Sequence, residues 1–178
     1  MTSTATETVE VPAAGAYRID PGESTISFAT RHIFGLAGVR GTFALRAGHV
    51  HVADPVHGSA LRATIDASSV DTGLSIRDNT VRSKQYLETD RFPEITFVST
   101  GLSRDGGWVL RGELTVKDQT RPLDVRVDEV RVVGDKLQLR ASSVVDRYAW
   151  GVTAMKGMTG RRLRFTLALV ATQTGSIA

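Results

Sequence analysis

The stretch Pro93-Glu94-Ile95-Thr96-Phe97-Val98-Ser99-Thr100, continued after Asp105-Gly106-Gly107 by Trp108-Val109-Leu110 and then by Leu114-Thr115-Val116, decides the fold class. Ile95, Phe97 and Ser99 fall on one face of an extended chain and Thr96, Val98 and Thr100 on the other, the two-residue period of a half-buried strand. Asp105-Gly106-Gly107 tolerates the left-handed backbone of a tight turn, so the two runs read as a hairpin.

The same period extends in both directions. Toward the N-terminus, Ile26, Phe28 and Thr30 share a face, then Val39, Gly41, Phe43 and Leu45, with a turn expected at Ala47-Gly48 and a short further strand at Val50 and Val52. Asp54-Pro55 breaks the chain before Ser59, Leu61, Ala63 and Ile65. Toward the C-terminus, Leu123, Val125 and Val127 turn at Gly134-Asp135 into Leu137, Leu139 and Ala141, and Leu163, Phe165, Leu167 and Leu169 close the pattern. Between Asp71 and Pro93 the alternation stops, and Ser75 followed by Asp78 reads as a capping box opening a helix through about Tyr86. Eight or so mainly antiparallel strands, each apolar on one face, stack as a sandwich or close into a barrel; closure removes exposed edges.

Composition narrows the chemistry. The 178 residues are 41% hydrophobic and 23% charged, enough for one domain with a core, and no apolar run approaches the eighteen or so residues of a membrane-spanning helix. With no cysteine there is no disulfide and no thiolate ligand or nucleophile. The 22 basic and 19 acidic residues are spread along the chain, and apart from Arg161-Arg162-Leu163-Arg164 form no basic block, so no nucleic-acid partner is expected. Residues 1–15 carry neither the basic nor the apolar region of a secretory signal and are expected to be a disordered cytoplasmic tail, with residues 16–175 forming one domain.

Few residues could carry catalysis. His49 and His51 project to one face of a short strand, as two metal ligands would, but no carboxylate pattern accompanies them, and the plain reading is two solvated imidazoles opposite Val50 and Val52. No nucleophile elbow, zinc-protease motif or phosphate-cradling glycine loop occurs. His32 continues the inward face of Ile26, Phe28 and Thr30, as a core histidine or as a polar contact for a ligand. Arg147 continues the face of Ser143 and Val145, and an inward cation needs either a carboxylate, such as Asp20 or Asp146, or an anionic ligand.

These segments together resemble the YceI family, lipocalin-like barrels described as polyisoprenoid-binding. The resemblance runs from Tyr17-Arg18-Ile19-Asp20-Pro21 through Ser24, Phe28 and His32 to Gly41-Thr42-Phe43. It continues in Ser69-Val70-Asp71-Thr72, Arg77-Asp78, the Arg91 to Thr100 strand, Gly112 to Lys117, Thr120-Arg121-Pro122 and Arg147-Tyr148-Ala149-Trp150-Gly151. Thr80 stands where family members usually carry a histidine, and Lys84-Gln85-Tyr86-Leu87 where aromatic residues are common.

The resemblance implies an all-β fold: an antiparallel eight-stranded lipocalin-like barrel with a short helical insert around residues 75–87. It implies an apolar tunnel for an isoprenoid or similar long-chain lipid, lined by Phe28, Phe43, Phe97, Trp108, Leu110, Leu139, Trp150 and Phe165. The polar head would meet His32, Arg147, Arg77 and Arg91. Burying saturated carbon at roughly 0.8 kcal/mol each, three or four isoprene units would exceed association costs of about 4 to 15 kcal/mol. No cofactor or metal is expected, and a homodimer is left open. The alternative is an enzyme or accessory factor acting on an isoprenoid or polyketide-like substrate, with His32 and Tyr148 as acid and base.

Overall fold

The computed structural model describes residues 8–32 and 35–176. The alternating segments form nine strands: β1 (Gly15–Ile19), β2 (Thr25–His32), β3 (Ala37–Val52), β4 (Ala60–Asp71), β5 (Glu94–Arg104), β6 (Trp108–Val116), β7 (Gln119–Val133), β8 (Lys136–Asp146) and β9 (Arg162–Ser176). All their pairings are antiparallel and close the sheet on itself. Nine strands occupy eight positions. β1 pairs with the second halves of β3 and β9, β2 with their first halves, so β1 and β2 are one stave interrupted at residues 20–24. The result is a closed eight-stave antiparallel barrel carrying one α-helix, with no helix among the described residues long and apolar enough to cross a membrane.

The turn expected at Ala47-Gly48 does not exist: β3 runs unbroken from Ala37 to Val52. The break in alternation there is a bulge, since the register against β4 shifts between Leu45 and Ala47. One extra residue exchanges the two faces, so the buried positions pass from Val39, Gly41 and Leu45 to Gly48 and Val52. Gly48 is required because a Cβ would lie 2.6 Å from Ile19 Cδ1.

The helical insert is shorter than expected, and no capping box starts it. Helix α1 spans Ser75–Arg82, its N-cap is Leu74, and no side chain caps it. Asp78 is buried and turns back to the residue that follows β4, accepting hydrogen bonds from Thr72 N at 2.9 Å and Thr72 Oγ1 at 2.6 Å. Arg82 donates to the carbonyls of Ser68 and Val70, so the C-terminal end of the helix is held to β4 and its middle to Thr72 just beyond that strand.

Of the tail expected over residues 1–15, residues 1–7 lie outside the described residues, and residues 8–10 run beside β7. β6 begins opposite Val127, which leaves the rest of β7 without a neighbour on that side. Residues 8–10 cover that edge: Val130 N donates to Thr8 O and Glu10 N to Val130 O, both at 3.0 Å, while Val9 packs on the core. The Tyr17 hydroxyl donates to Ala13 O at 2.8 Å, and burial pushes its pKa up.

The connections sort onto two ends. The β2–β3, β4–β5, β6–β7 and β8–β9 connections share one end, with α1 and the turn Arg147–Trp150, and form the mouth. The turn Val56–Gly58, the β5–β6 and β7–β8 hairpins and residues 8–14 belong to the far end.

Candidate functional site

Inward residues of all eight staves surround a cavity of ≈ 420 Å³. Phe28, Phe43, Phe97, Leu110, Leu139 and Phe165 line it, as their positions in the alternation imply, and so does Trp150 from the short turn Arg147–Trp150. Phe28, Phe43 and Phe165 form a tilted cluster with ring centroids 5.5, 5.7 and 6.4 Å apart. Two glycines shape this wall. A Cβ on Gly41 would lie 2.5 Å from Phe28 Cζ, and one on Gly112 2.3 Å from Phe97 Cζ, so each ring lies across bare backbone of a neighbouring strand. The Trp150 indole is fixed by a 2.8 Å bond from Nε1 to Leu114 O.

Trp108 departs from the expectation. Its parity is inward, but it stands at the far-end start of β6, where its ring meets His57 at 5.5 Å and Arg104 at 5.5 Å, and it does not line the cavity. It helps close the far end.

At the mouth, His32, Arg77 and Arg147 line the cavity. Arg91 does not; it is exposed on the loop after α1, with its guanidinium 4.9 Å from the Phe92 ring. Arg77 donates from Nε to Thr72 Oγ1 at 2.7 Å and from Nη2 to Thr72 O at 3.0 Å, so Thr72 relays it to Asp78.

Arg147 is buried, and neither of the carboxylates named as alternatives to an anionic ligand is its partner. Asp20 accepts from Gly22 N, and Asp146 is held by Arg161 at 2.9 Å, which keeps its carboxyl below the ordinary range. Arg147 instead donates to three carbonyls of the β8–β9 connection: Gly160 O at 2.8 Å, Val152 O at 2.8 Å and Thr159 O at 3.1 Å. Its guanidinium also lies 4.9 Å from the Tyr148 ring and 5.8 Å from that of Tyr86. Three of its five N–H groups are used on neutral acceptors, so the charge itself is not neutralised.

The helical segment adds lining that the alternation did not identify: Thr72, Thr80, Val81, Tyr86 and Leu87. Thr80, at the position of the usual family histidine, faces the cavity and donates from Oγ1 to Ile76 O at 2.9 Å. The Tyr86 hydroxyl shares a 2.7 Å bond with Thr159 Oγ1, which joins the two largest mouth connections. Of the two residues named as acid and base, His32 lines the cavity and Tyr148 does not; the Tyr148 ring lies 4.6 Å from the Arg161 guanidinium. His49 and His51 are both exposed, and among the described residues no group of three or more metal-ligating side chains gathers.

Comparisons with known proteins agree with this geometry. The YceI-like domain profile matches residues 17–171. A UPF0312 protein of Photorhabdus laumondii is 34% identical over 115 residues, covering 62% of this chain and 59% of that protein. Protein YceI of Salmonella arizonae is 31% identical over 126 residues, 68% of this chain and 63% of that one. The matched stretch thus spans less than two thirds of either relative's length. Among solved structures, Burkholderia cenocepacia BcnA superposes with a TM-score of 0.76 at 22% identity, covering 86% of this chain and 99% of that one. A polyisoprenoid binding domain from Saccharophagus degradans gives 0.65 at 14% identity, covering 88% and 98%. Both likenesses establish the barrel.

Proposed function

The chain belongs to the YceI-like family, and from that premise we propose that it binds an isoprenoid or similar amphiphilic lipid inside the barrel, to carry or sequester it. The observation that carries this reading is the cavity itself: ≈ 420 Å³ of interior bordered by the inward side chains of the staves. That volume lies within the range of about 300 to 1,000 Å³ usual for small-ligand sites. Its walls are apolar along the staves, with His32, Arg77 and Arg147 confined to one end, an arrangement suited to a hydrocarbon chain with a polar head at the mouth. The neighbour described as a polyisoprenoid binding domain supports the same ligand class.

The head meets Arg77 first in this reading, because Arg147 is occupied with the carbonyls that shape the β8–β9 connection. Arg147 contributes a fixed positive field that favours a phosphate or carboxylate over a neutral hydroxyl. Two measurements test the proposal. Mass spectrometry of organic extracts from purified protein should recover a co-purifying lipid, and a fluorescent prenyl probe should bind saturably at one site per chain. Absence of both, with the protein folded, would overturn it.

A further inference from the structure

Outside the cavity, the mouth end carries a surface that the lipid-binding reading does not use. Ala29 on the outer face of β2 pairs with Arg40 of β3 on one side and Arg164 of β9 on the other. Arg31 and Arg162 lie two residues nearer the mouth on β2 and β9, and a depression lined by all four arginines continues to Thr72 and Arg77 at the cavity rim. Among the described residues, no acidic one lines it. Among the acids of this end, Asp146 holds Arg161, Glu88 meets Lys117 and Asp71 accepts from Gly73 N, while Asp90 and Asp118 are exposed on the β4–β5 and β6–β7 connections and do not line the depression. Like charges on neighbouring strands cost stability, so a cluster of this kind needs a partner to balance it.

The long apolar side chains on the surface lie at the same end. Leu36 in the β2–β3 connection is 86% exposed and Ile76 on α1 is 78% exposed; Leu74, Met155 and Met158, in the β4–β5 and β8–β9 connections, are exposed as well. Every other exposed large apolar residue among those described is a valine: Val11, Val98, Val132, Val133 and Val144. Long flexible apolar side chains beside arginines match the chemistry of a bilayer interface, where acyl chains take the first and headgroup phosphates the second.

We propose that the mouth end docks on an anionic phospholipid bilayer, with Arg31, Arg40 and Arg164 on the headgroup phosphates and Leu36 and Ile76 entering the interface. The cavity then opens toward the membrane. Docking stands on this surface alone; only its purpose, exchange of cargo with the bilayer, rests on the lipid-binding reading.

The test is co-sedimentation of the full chain with vesicles of phosphatidylglycerol and phosphatidylcholine, against phosphatidylcholine alone. Binding should require the anionic lipid and weaken as salt rises. The triple variant R31Q/R40Q/R164Q should bind about a hundredfold more weakly, at roughly fivefold per basic residue near the surface. L36S/I76S should also weaken binding while leaving the salt dependence in place. Circular dichroism checks that the variants fold, and uptake of a prenyl probe from solution should be unchanged in both. Three results would overturn docking: no binding of the unaltered chain to anionic vesicles, binding indifferent to both variants, or full displacement by millimolar inorganic phosphate, which would mark a site for a free anion. Vesicle binding without probe uptake would contradict the cavity reading and leave docking standing.

Discussion

The two ends of the barrel grow from the same alternating strands and are closed by opposite means. At the far end the closure is mainly apolar: Val9 packs on the core from the segment that covers β7, and Trp108 meets the ring of His57. At the mouth it is polar. Arg147 gathers three carbonyls, Tyr86 bonds Thr159, and Thr72 links Arg77 to Asp78. An apolar plug is stable because it excludes water, whereas a hydrogen-bonded rim can exchange partners with an entering polar group. The contrast fits the proposal that a ligand enters at the mouth.

The comparison breaks most readily at Arg147. Arg147→Met removes three charge-assisted bonds and leaves their acceptors under-satisfied, so urea denaturation should show a loss of roughly 3 to 5 kcal/mol. Trp108→Ala at the half-buried far end should cost less, about 2 kcal/mol, and should leave probe binding intact. A larger loss at Trp108 than at Arg147 would reverse the assignment of the two ends.

Between the ends, the wall should be softer than a packed core. Phe28→Ala and Phe97→Ala are each expected to cost about 2 to 3 kcal/mol, below the 3 to 5 typical of a close-packed Phe, because one side of each ring borders the cavity. Full penalties at both positions would argue for a filled interior.

Removing residues 1–14 sharpens the far end. The lost backbone pairing with Val130 and the Val9 contact should lower stability by about 1 to 2 kcal/mol, or roughly 3 to 6 °C in melting temperature. A free tail would leave the melting temperature within about 2 °C.

The smallest effect belongs to the Asp146–Arg161 pair on the outer rim. The hydrogen bond from Arg161 lowers the Asp146 pKa, so its contribution is present above the unfolded carboxylate value and is lost as pH falls through the lower folded one. Acid titration of Arg161→Gln against the unaltered protein should therefore show a stability difference at neutral pH that begins to shrink near the ordinary carboxylate value of about 4 and is gone only once the pH falls below the lowered Asp146 pKa. Because both groups are substantially exposed, that difference is small.

Much of this fold was legible in the chain, because a half-buried strand repeats its face every second residue. That rule identified the cavity wall from Phe28 to Phe165 and the inward direction of His32 and Arg147. It could not tell a bulge from a turn at Ala47-Gly48, since both interrupt the period. Parity also gives a side chain's face without its height along the barrel axis, which is why Trp108 read as lining when it belongs to the far end. The partners of Arg147 were hidden for another reason: they are main-chain carbonyls, present at every residue, and only the path of the β8–β9 connection selects Val152, Thr159 and Gly160. Asp78 lies where alternation stops, and there the capping-box spacing competed with the tertiary bond to Thr72 and lost.

The central claim, that the interior receives a prenyl chain from the polar end, is tested most directly by the two tryptophans. Trp150 lines the cavity and Trp108 does not. In Trp108→Phe, the emission of Trp150 should change saturably as farnesol is titrated, and in Trp150→Phe the emission of Trp108 should stay constant over the same range. A response from Trp108 alone, or from neither in folded protein, would contradict the account.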